Sequence, residues 1–334
     1  MSTTSSRRSS KTQIILREMS KEEKLIMFKY ILNSDIKQLR KLPIETVNLN
    51  FLFPASLIGL NFDKEISPLL LCCYIGKFEI FHFLLSNEGI NINMASKPDL
   101  YSPLMISCYK GYYEIVRELL ERNADTKQKN RCGQEAFIFC FSRLEQKSFK
   151  YENKKICFML VELLLAYGAD INSSFDDKKK YSIIMKLVSG EINNDEKCKT
   201  ICDVIKFLIE KGANVNYRNK NNQNIFMILK NNIKIKPKYK EEIYSILNNP
   251  ITNNMLKEYE INNNIINDNN INNNLLTLYS YKHGRYNSSI NYKSDIIDSQ
   301  NHFKDLRNNL FKKDKDEMIL QTFDDNSSSC CLIF

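Results

Sequence analysis

The chain has 334 residues with 48 basic and 39 acidic side chains, a net charge of +9 at neutral pH, and length enough for a buried core in one or two domains. No apolar run is long enough to span a bilayer, because Glu162 interrupts the longest, ICFMLVELLLAYG, and the opening MSTTSSRRSSKTQ lacks the apolar stretch that marks secretion. Ser2 stands where N-myristoylation requires glycine, so the expectation is a cytoplasmic chain whose ten cysteines stay reduced.

Residues 1–20 read as a disordered Ser/Arg-rich segment, in which RRSS presents Ser10, or Ser9, as a phosphorylation candidate. From residue 21 a repeat begins. EKLIMFKYILNSDIKQLRKL followed by VNLN reads as a truncated opening unit, about 24–50. ISPLLLCCYIGKFEIFHFLL from Ile66 and YSPLMISCYKGYYEIVRELL from Tyr101 then align without a gap. Ser67 and Ser102 fall at helix N-caps, with Pro68 and Pro103 at the first helical position. Gly76 and Gly111 end that helix, because the turn needs a left-handed residue. A second helix follows, with apolar pairs Ile80/Phe81 and Leu84/Leu85 matched by Ile115/Val116 and Leu119/Leu120 on one face.

The second helix recurs as Leu160/Val161 with Leu164/Leu165 and as Val204/Ile205 with Leu208/Ile209, closed by GADIN at Gly168 and GANVN at Gly212. First helices open at Glu135, Ser182 and Asn224, and NRCGQEAF and NKNNQNIF read as one loop written twice. The units are bounded at about 64–94, 98–127, 130–172, 177–216 and 219–250, with extra residues between helices near 142–155 and 190–200. One such unit cannot bury its own apolar face, so stacked units must share a core over residues 21–250.

These residues resemble the ankyrin repeat, with its T-P-L-H-x-A signature and helix–turn–helix unit. The resemblance implies an all-α solenoid, a stack of helix pairs with hairpin-like turns. It departs from the family at the histidine slot, which holds Leu70, Met105, Ile138, Met185 and Met227, and at the paired alanine slots, which hold Cys72/Cys73, Ser107/Cys108 and Cys140/Phe141. Cysteine there reads as a small hydrophobe.

The resemblance further implies a protein-binding module that is not an enzyme and uses no cofactor. Residue-wise carry-over places the partner on turn tips (Phe62–Glu65, Lys97–Tyr101, Asn130–Cys132, Asp177–Lys180 and Asn219–Asn222) and on the open side of the first helices. The candidates are Leu71, Tyr74, Ile106, Tyr109 and Lys110 on the helices and Asp99, Tyr101 and Arg131 on the tips. Tyr74 and Tyr109 occupy the same slot, either as an interface stripe or as packing between units.

Catalytic motifs are missing. The sequence has no phosphate loop, nucleophile elbow or kinase set. His82 reads as a satisfied helix residue, and Cys198 and Cys202, though i, i+4, lack the Cys-x-x-Cys or histidine partners of a zinc set. The basic surplus lies in residues 1–250, and Lys234, Lys236, Lys238 and Lys240 cluster near its end. Lysine interleaved with Asn and Ile suits a membrane-facing charge patch better than a nucleic-acid groove.

From 251 to 329 the chain turns to Asn/Ile low complexity, read as a flexible tail, with NHFKDLRNNLFKKDKDEMIL as a short helix placing Phe303, Leu306 and Leu310 on one face. Residues 330–334, CCLIF, resemble a C-a-a-X prenylation box on Cys331, and the terminal Phe points to geranylgeranyl. One lipid gives marginal attachment, so Cys330 is the expected second signal, by palmitoylation or a second prenyl group. The implied partners are a prenyltransferase, a membrane on its cytosolic face and an unidentified protein. The alternatives are a soluble adaptor whose ending matches by chance and, more distantly, an enzyme.

Overall fold

A computed structural model describes residues 16–60, 64–87, 89–141, 151–175 and 178–248. Ser10, Phe62, Asp177, the 251–329 segment with its Phe303 helix, and the Cys330–Cys331 ending lie outside the described residues.

Helix α1 (Lys21–Leu32) opens on Ser20, whose Oγ accepts from the Glu23 N–H at 3.2 Å while the Ser20 N–H donates to the Glu23 carboxylate at 2.8 Å. This reciprocal cap satisfies two donors that a helix start otherwise leaves without partners. The second helix of the opening unit, α2, is only Ile36–Leu39. Phe28 of α1 stacks on Phe53 at 5.3 Å and meets Phe51 edge-on at 6.1 Å, sealing the N-terminal end of the core.

Strand β1 (Phe53–Pro54) pairs antiparallel with β2 (Glu65–Ile66). First helices follow in one row: α3 (Pro68–Ile75), α5 (Pro103–Lys110), α7 (Ala136–Phe139), α9 (Ile183–Ser189) and α11 (Ile225–Asn231). Second helices form the other: α4 (Phe78–Leu85), α6 (Tyr113–Glu121), α8 (Tyr151–Ala166), α10 (Asp195–Glu210) and α12 (Pro237–Leu247). This is an ankyrin-type array, mostly helical.

The caps sit where residue type places them. Ser67, Ser102, Ser182 and Asn224 each accept the backbone N–H three residues on, at 3.0 to 3.4 Å. Gly76 and Gly111 end α3 and α5 in the left-handed conformation, at φ 71° and 75°. Part of each insertion is helical: residues 151–155 and 195–200 open α8 and α10, which run 16 residues, against 8 and 9 for α4 and α6. In α10 the physical reason is visible, since Asn194 caps the Lys197 N–H at 2.7 Å and Asp195 and Glu196 suit the positive end of the helix dipole. The first helix of the fourth unit, counting the opening one, is shorter than its pattern suggests, four residues, and Glu135 makes no side-chain cap.

The long helices lie in fixed register. Lys154 pairs with Asp203 at 2.6 Å, Phe158 stacks on Phe207 at 4.0 Å, and Glu162 pairs with Lys211 at 2.6 Å. The cysteines in the alanine slots are in the core: Cys72 and Cys73 are 0 % exposed and Cys108 1 %. Burial pushes the Cys73 thiol up to about 12, so it stays protonated and packs as a small apolar group.

Loops join the units through asparagine. Asn91, Asp125, Asp170 and Asn214 each accept the N–H two residues on, at 2.8 to 2.9 Å. The asparagine at that second position then reaches the next unit: Asn50 accepts from the Asn91 N–H at 2.6 Å, Asn93 from Asp125 at 2.9 Å and Asn172 from Asn214 at 2.8 Å. The third unit has Lys127 at this place, and its side chain has no acceptor to offer.

Candidate partner-binding face

The turn tips carry a hydrogen-bonded seam. Glu65 and Lys97 exchange both backbone bonds at 2.9 and 3.0 Å, the Arg131 N–H donates to the Asp99 carbonyl at 2.9 Å, and the Lys220 N–H to the Lys179 carbonyl at 3.1 Å. NRCGQ and NKNNQ are one structure. Asn130 Oδ1 accepts from the Cys132 and Gln134 N–H groups, both at 2.9 Å, and Asn219 Oδ1 from Asn221 and Gln223 at 3.0 and 2.9 Å. Each loop turns through a left-handed residue two places before the helix N-cap: Gly133 in the first, Asn222 in the second.

Two other tips put ordinary side chains in that slot. Leu100 holds φ 62° and Lys180 φ 52°. A branched apolar residue in this region costs roughly 1–2 kcal/mol relative to its usual conformations. Leu100 is also 43 % exposed, so its side chain adds little to the core, although its backbone closes the turn by donating to the Ser96 carbonyl at 3.1 Å. Around it, Asp99 pairs with Lys64 at 3.0 Å. The Lys64 ammonium lies 5.3 Å from the Tyr101 ring centre, and Tyr101 meets Phe139 edge-on at 5.7 Å. Lys97 and Arg131 are exposed beside this cluster. The sequence singles out Asp99, Tyr101 and Arg131 and includes Leu100 only as part of the Lys97–Tyr101 tip. The available signal was positional: Leu100 stands where the loops of two other units place Gly133 and Asn222.

Tyr74, Tyr109 and Lys110 form a second group, at the other end of α3 and α5. The two tyrosines are half-buried neighbours, and burial and then the proximity of Tyr109 push the Tyr74 phenol up. Lys110 Nζ lies 4.3 Å from the Tyr74 ring centre and 5.8 Å from that of Tyr109, within cation–π range. Leu71 and Ile106, expected on the open side of these helices, are 0 % and 6 % exposed. A first helix here is packed by the helices before and after it as well as by its own partner, so these positions belong to the core.

Of the remaining candidates, His82 Nδ1 lies 2.8 Å from Glu118 Oε1, which also accepts from Arg122 at 3.2 and 3.3 Å. Arg122 in turn donates to the Leu85 carbonyl at 3.0 Å, so the cluster fastens α4 to α6. Lys234 and Lys236 are exposed beside Ile233, itself 95 % exposed. Lys238 is held by Asp195 at 2.6 Å and Lys240 donates to the Lys230 carbonyl at 2.9 Å. A cleft of about 370 Å³ lies between the ends of α6 and α8, bordered by Asp125, Lys127 and Tyr167. That is where Lys127 interrupts the asparagine series. Among the described residues no helix is long and apolar enough to cross a membrane.

The family model for ankyrin repeats (3 copies) matches residues 28–130. That span runs from α1 to the tip before α7, and the same paired helices continue to Leu247. No curated protein matches the chain.

Proposed function

We propose that this ankyrin-repeat array is a scaffold that recruits a protein partner on its tip and first-helix face and is carried to the cytosolic side of a membrane by a prenyl group on Cys331. Ankyrin repeats are a protein–protein interaction fold, and the observation that supports this use of the face is Leu100. It is an exposed leucine held in a left-handed conformation on a tip, flanked by Tyr101 and the charged Lys97 and Arg131. Backbone strain gathers at binding sites, and an apolar anchor ringed by polar groups is how interfaces concentrate their energy. The chemistry suits a partner that seats an apolar side chain on Leu100 and offers acidic groups to the two cations.

For the anchor, the support is the CLIF ending and the exposed Ile233, Lys234 and Lys236 in the loop between α11 and α12. A single isoprenoid binds membranes only marginally, and such a loop, with Cys330 as a further lipid site, supplies what it lacks. A prenyltransferase is the enzyme that this chain requires.

The binding face is tested by Leu100→Gly. Removing the side chain and the strain together should leave the fold at least as stable while partner proteins recovered with the full chain from its own cells fall several-fold, by quantitative mass spectrometry. Full recovery of every partner with Leu100→Gly would show that the tip is not the face used.

A further inference from the structure

Away from the partner face, α10 and α12 bring three ligand-type side chains together. Cys198 and Cys202, one turn apart on α10, have their sulfurs 4.0 Å from each other, and Cys198 Sγ lies 3.4 Å from Glu242 Oε2 of α12. The three ligand atoms all fall within 4.8 Å of one another. Both cysteines are buried, 1 % and 2 % exposed, whereas Glu242 stands on the exposed side of its helix and turns its carboxylate inward to the sulfurs.

We infer that Cys198, Cys202 and Glu242 form a binding site for a thiophilic divalent cation, zinc by preference, which ties α10 to α12. Tetrahedral zinc with bonds of about 2.3 Å to sulfur and about 2.1 Å to oxygen has ligand edges of roughly 3.8 Å between sulfurs and roughly 3.6 Å between sulfur and oxygen. The observed 4.0 and 3.4 Å are within a few tenths of an ångström of those edges, and the third edge, from Cys202 to Glu242, lies within 4.8 Å, a gap that rotation of the exposed Glu242 side chain closes. Without the metal, the Cys198 thiol donates to Glu242 and the second sulfur packs against the first. Binding exchanges two thiol protons for one dication, leaving two thiolates, a carboxylate and the metal with one negative charge in all. The thiolates select against magnesium and calcium, which take oxygen ligands. With three protein ligands, water completes the set on the Glu242 side.

The site lies where the array needs fastening. Its neighbour on the same pair of helices is the Asp195–Lys238 pair, whose side chains are 82 % and 60 % exposed, and exposed pairs contribute little. A metal bond between α10 and α12 would fix the last helix of the described array far more firmly.

The test is titration of Co²⁺ into the full chain carrying Cys330→Ser and Cys331→Ser, which removes the two terminal thiols. The expected result is a thiolate-to-cobalt charge-transfer band that saturates at one equivalent and is displaced by Zn²⁺. Cys202→Ala should abolish the band. Glu242→Gln, an exposed substitution that leaves the core intact, should keep the band and weaken Co²⁺ affinity by at least about tenfold, as losing a group that supports a metal does. Zn²⁺ should raise the thermal midpoint of the parent chain and raise it less in Glu242→Gln. Absence of the band overturns the inference, as does a band that persists in the Cys198→Ser, Cys202→Ser double variant. An affinity unchanged by Glu242→Gln overturns it too, and decides the matter if Cys202→Ala does not fold.

Discussion

Gly76 shows how much a single position can require. It ends α3 at φ 71°, and a Cβ placed there would lie 2.6 Å from Cζ of the Tyr112 ring. Gly168 has a similar φ, 81°, with nothing within 4 Å. Gly168→Ala should therefore cost only the left-handed backbone term, roughly 1–2 kcal/mol, and Gly76→Ala should cost more. Urea unfolding of both, repeated with Tyr112→Ala, should show the excess and its disappearance; equal costs would mean that Tyr112 moves aside freely. A second residue prediction concerns pH. Side-chain hydrogen bonds from Arg17 and then the backbone bond from Ser20 hold the Glu23 carboxyl down at about 2, from its ordinary 4.5. Because the folded value is the lower one, the cap stabilises α1 fully above about pH 4.5 and is lost as pH falls toward 2. Carboxyl NMR titration should find Glu23 near 2, and Arg17→Ala should move it part of the way back, with Ser20 still donating. An ordinary carboxylate value in the parent chain would show that the cap is open in solution.

At the scale of elements, the loops are fastened by asparagines whose roles recur from unit to unit. Asn172→Ala removes an acceptor from the Asn214 N–H and should lower stability by about 1 kcal/mol. Lys127→Asn restores the missing acceptor and should raise stability by about 0.5–1 kcal/mol. The shift in unfolding midpoint measures both, and no gain from Lys127→Asn would mean that the third and fourth units are spaced too far apart for the bond. The elements themselves were legible because residue type reports them directly: a serine or asparagine cap, a proline after it, a glycine at the end. The lengths of α8 and α10 were less legible. An insertion breaks the alignment between units whether it forms a loop or extra helical turns. Leu71 and Ile106 were misplaced for a related reason, since the pattern of one helix does not say how many neighbours pack on it. Leu100 was not singled out because a left-handed φ at a leucine has no signature in composition. The Glu242 contact with Cys198 was hidden as well, because the carboxylate arrives from another helix 44 residues away.

On the scale of the whole molecule, the proposed function divides two tasks between two parts of the chain: recognition by the repeats and attachment by the terminal cysteine. The described core runs from Met19 to Leu247, and the partner face, the helix fastenings and the cysteine–glutamate cluster all lie within it. The proposed attachment rests on residues beyond it, with the Ile233–Lys236 loop in support. Lysines near an anionic leaflet contribute about 1 kcal/mol each, and that contribution weakens with salt, whereas the isoprenoid contributes about 0.8 kcal/mol per buried CH₂ without such dependence. The most direct measurement is therefore membrane fractionation, at low and high salt, of the parent chain, Cys331→Ser, and a variant with Lys234 and Lys236 neutralised. The expected result is the parent chain in the membrane fraction, Cys331→Ser in the soluble fraction at both salts, and the lysine variant weakened chiefly at low salt. Cys331→Ser remaining with the membranes would contradict it.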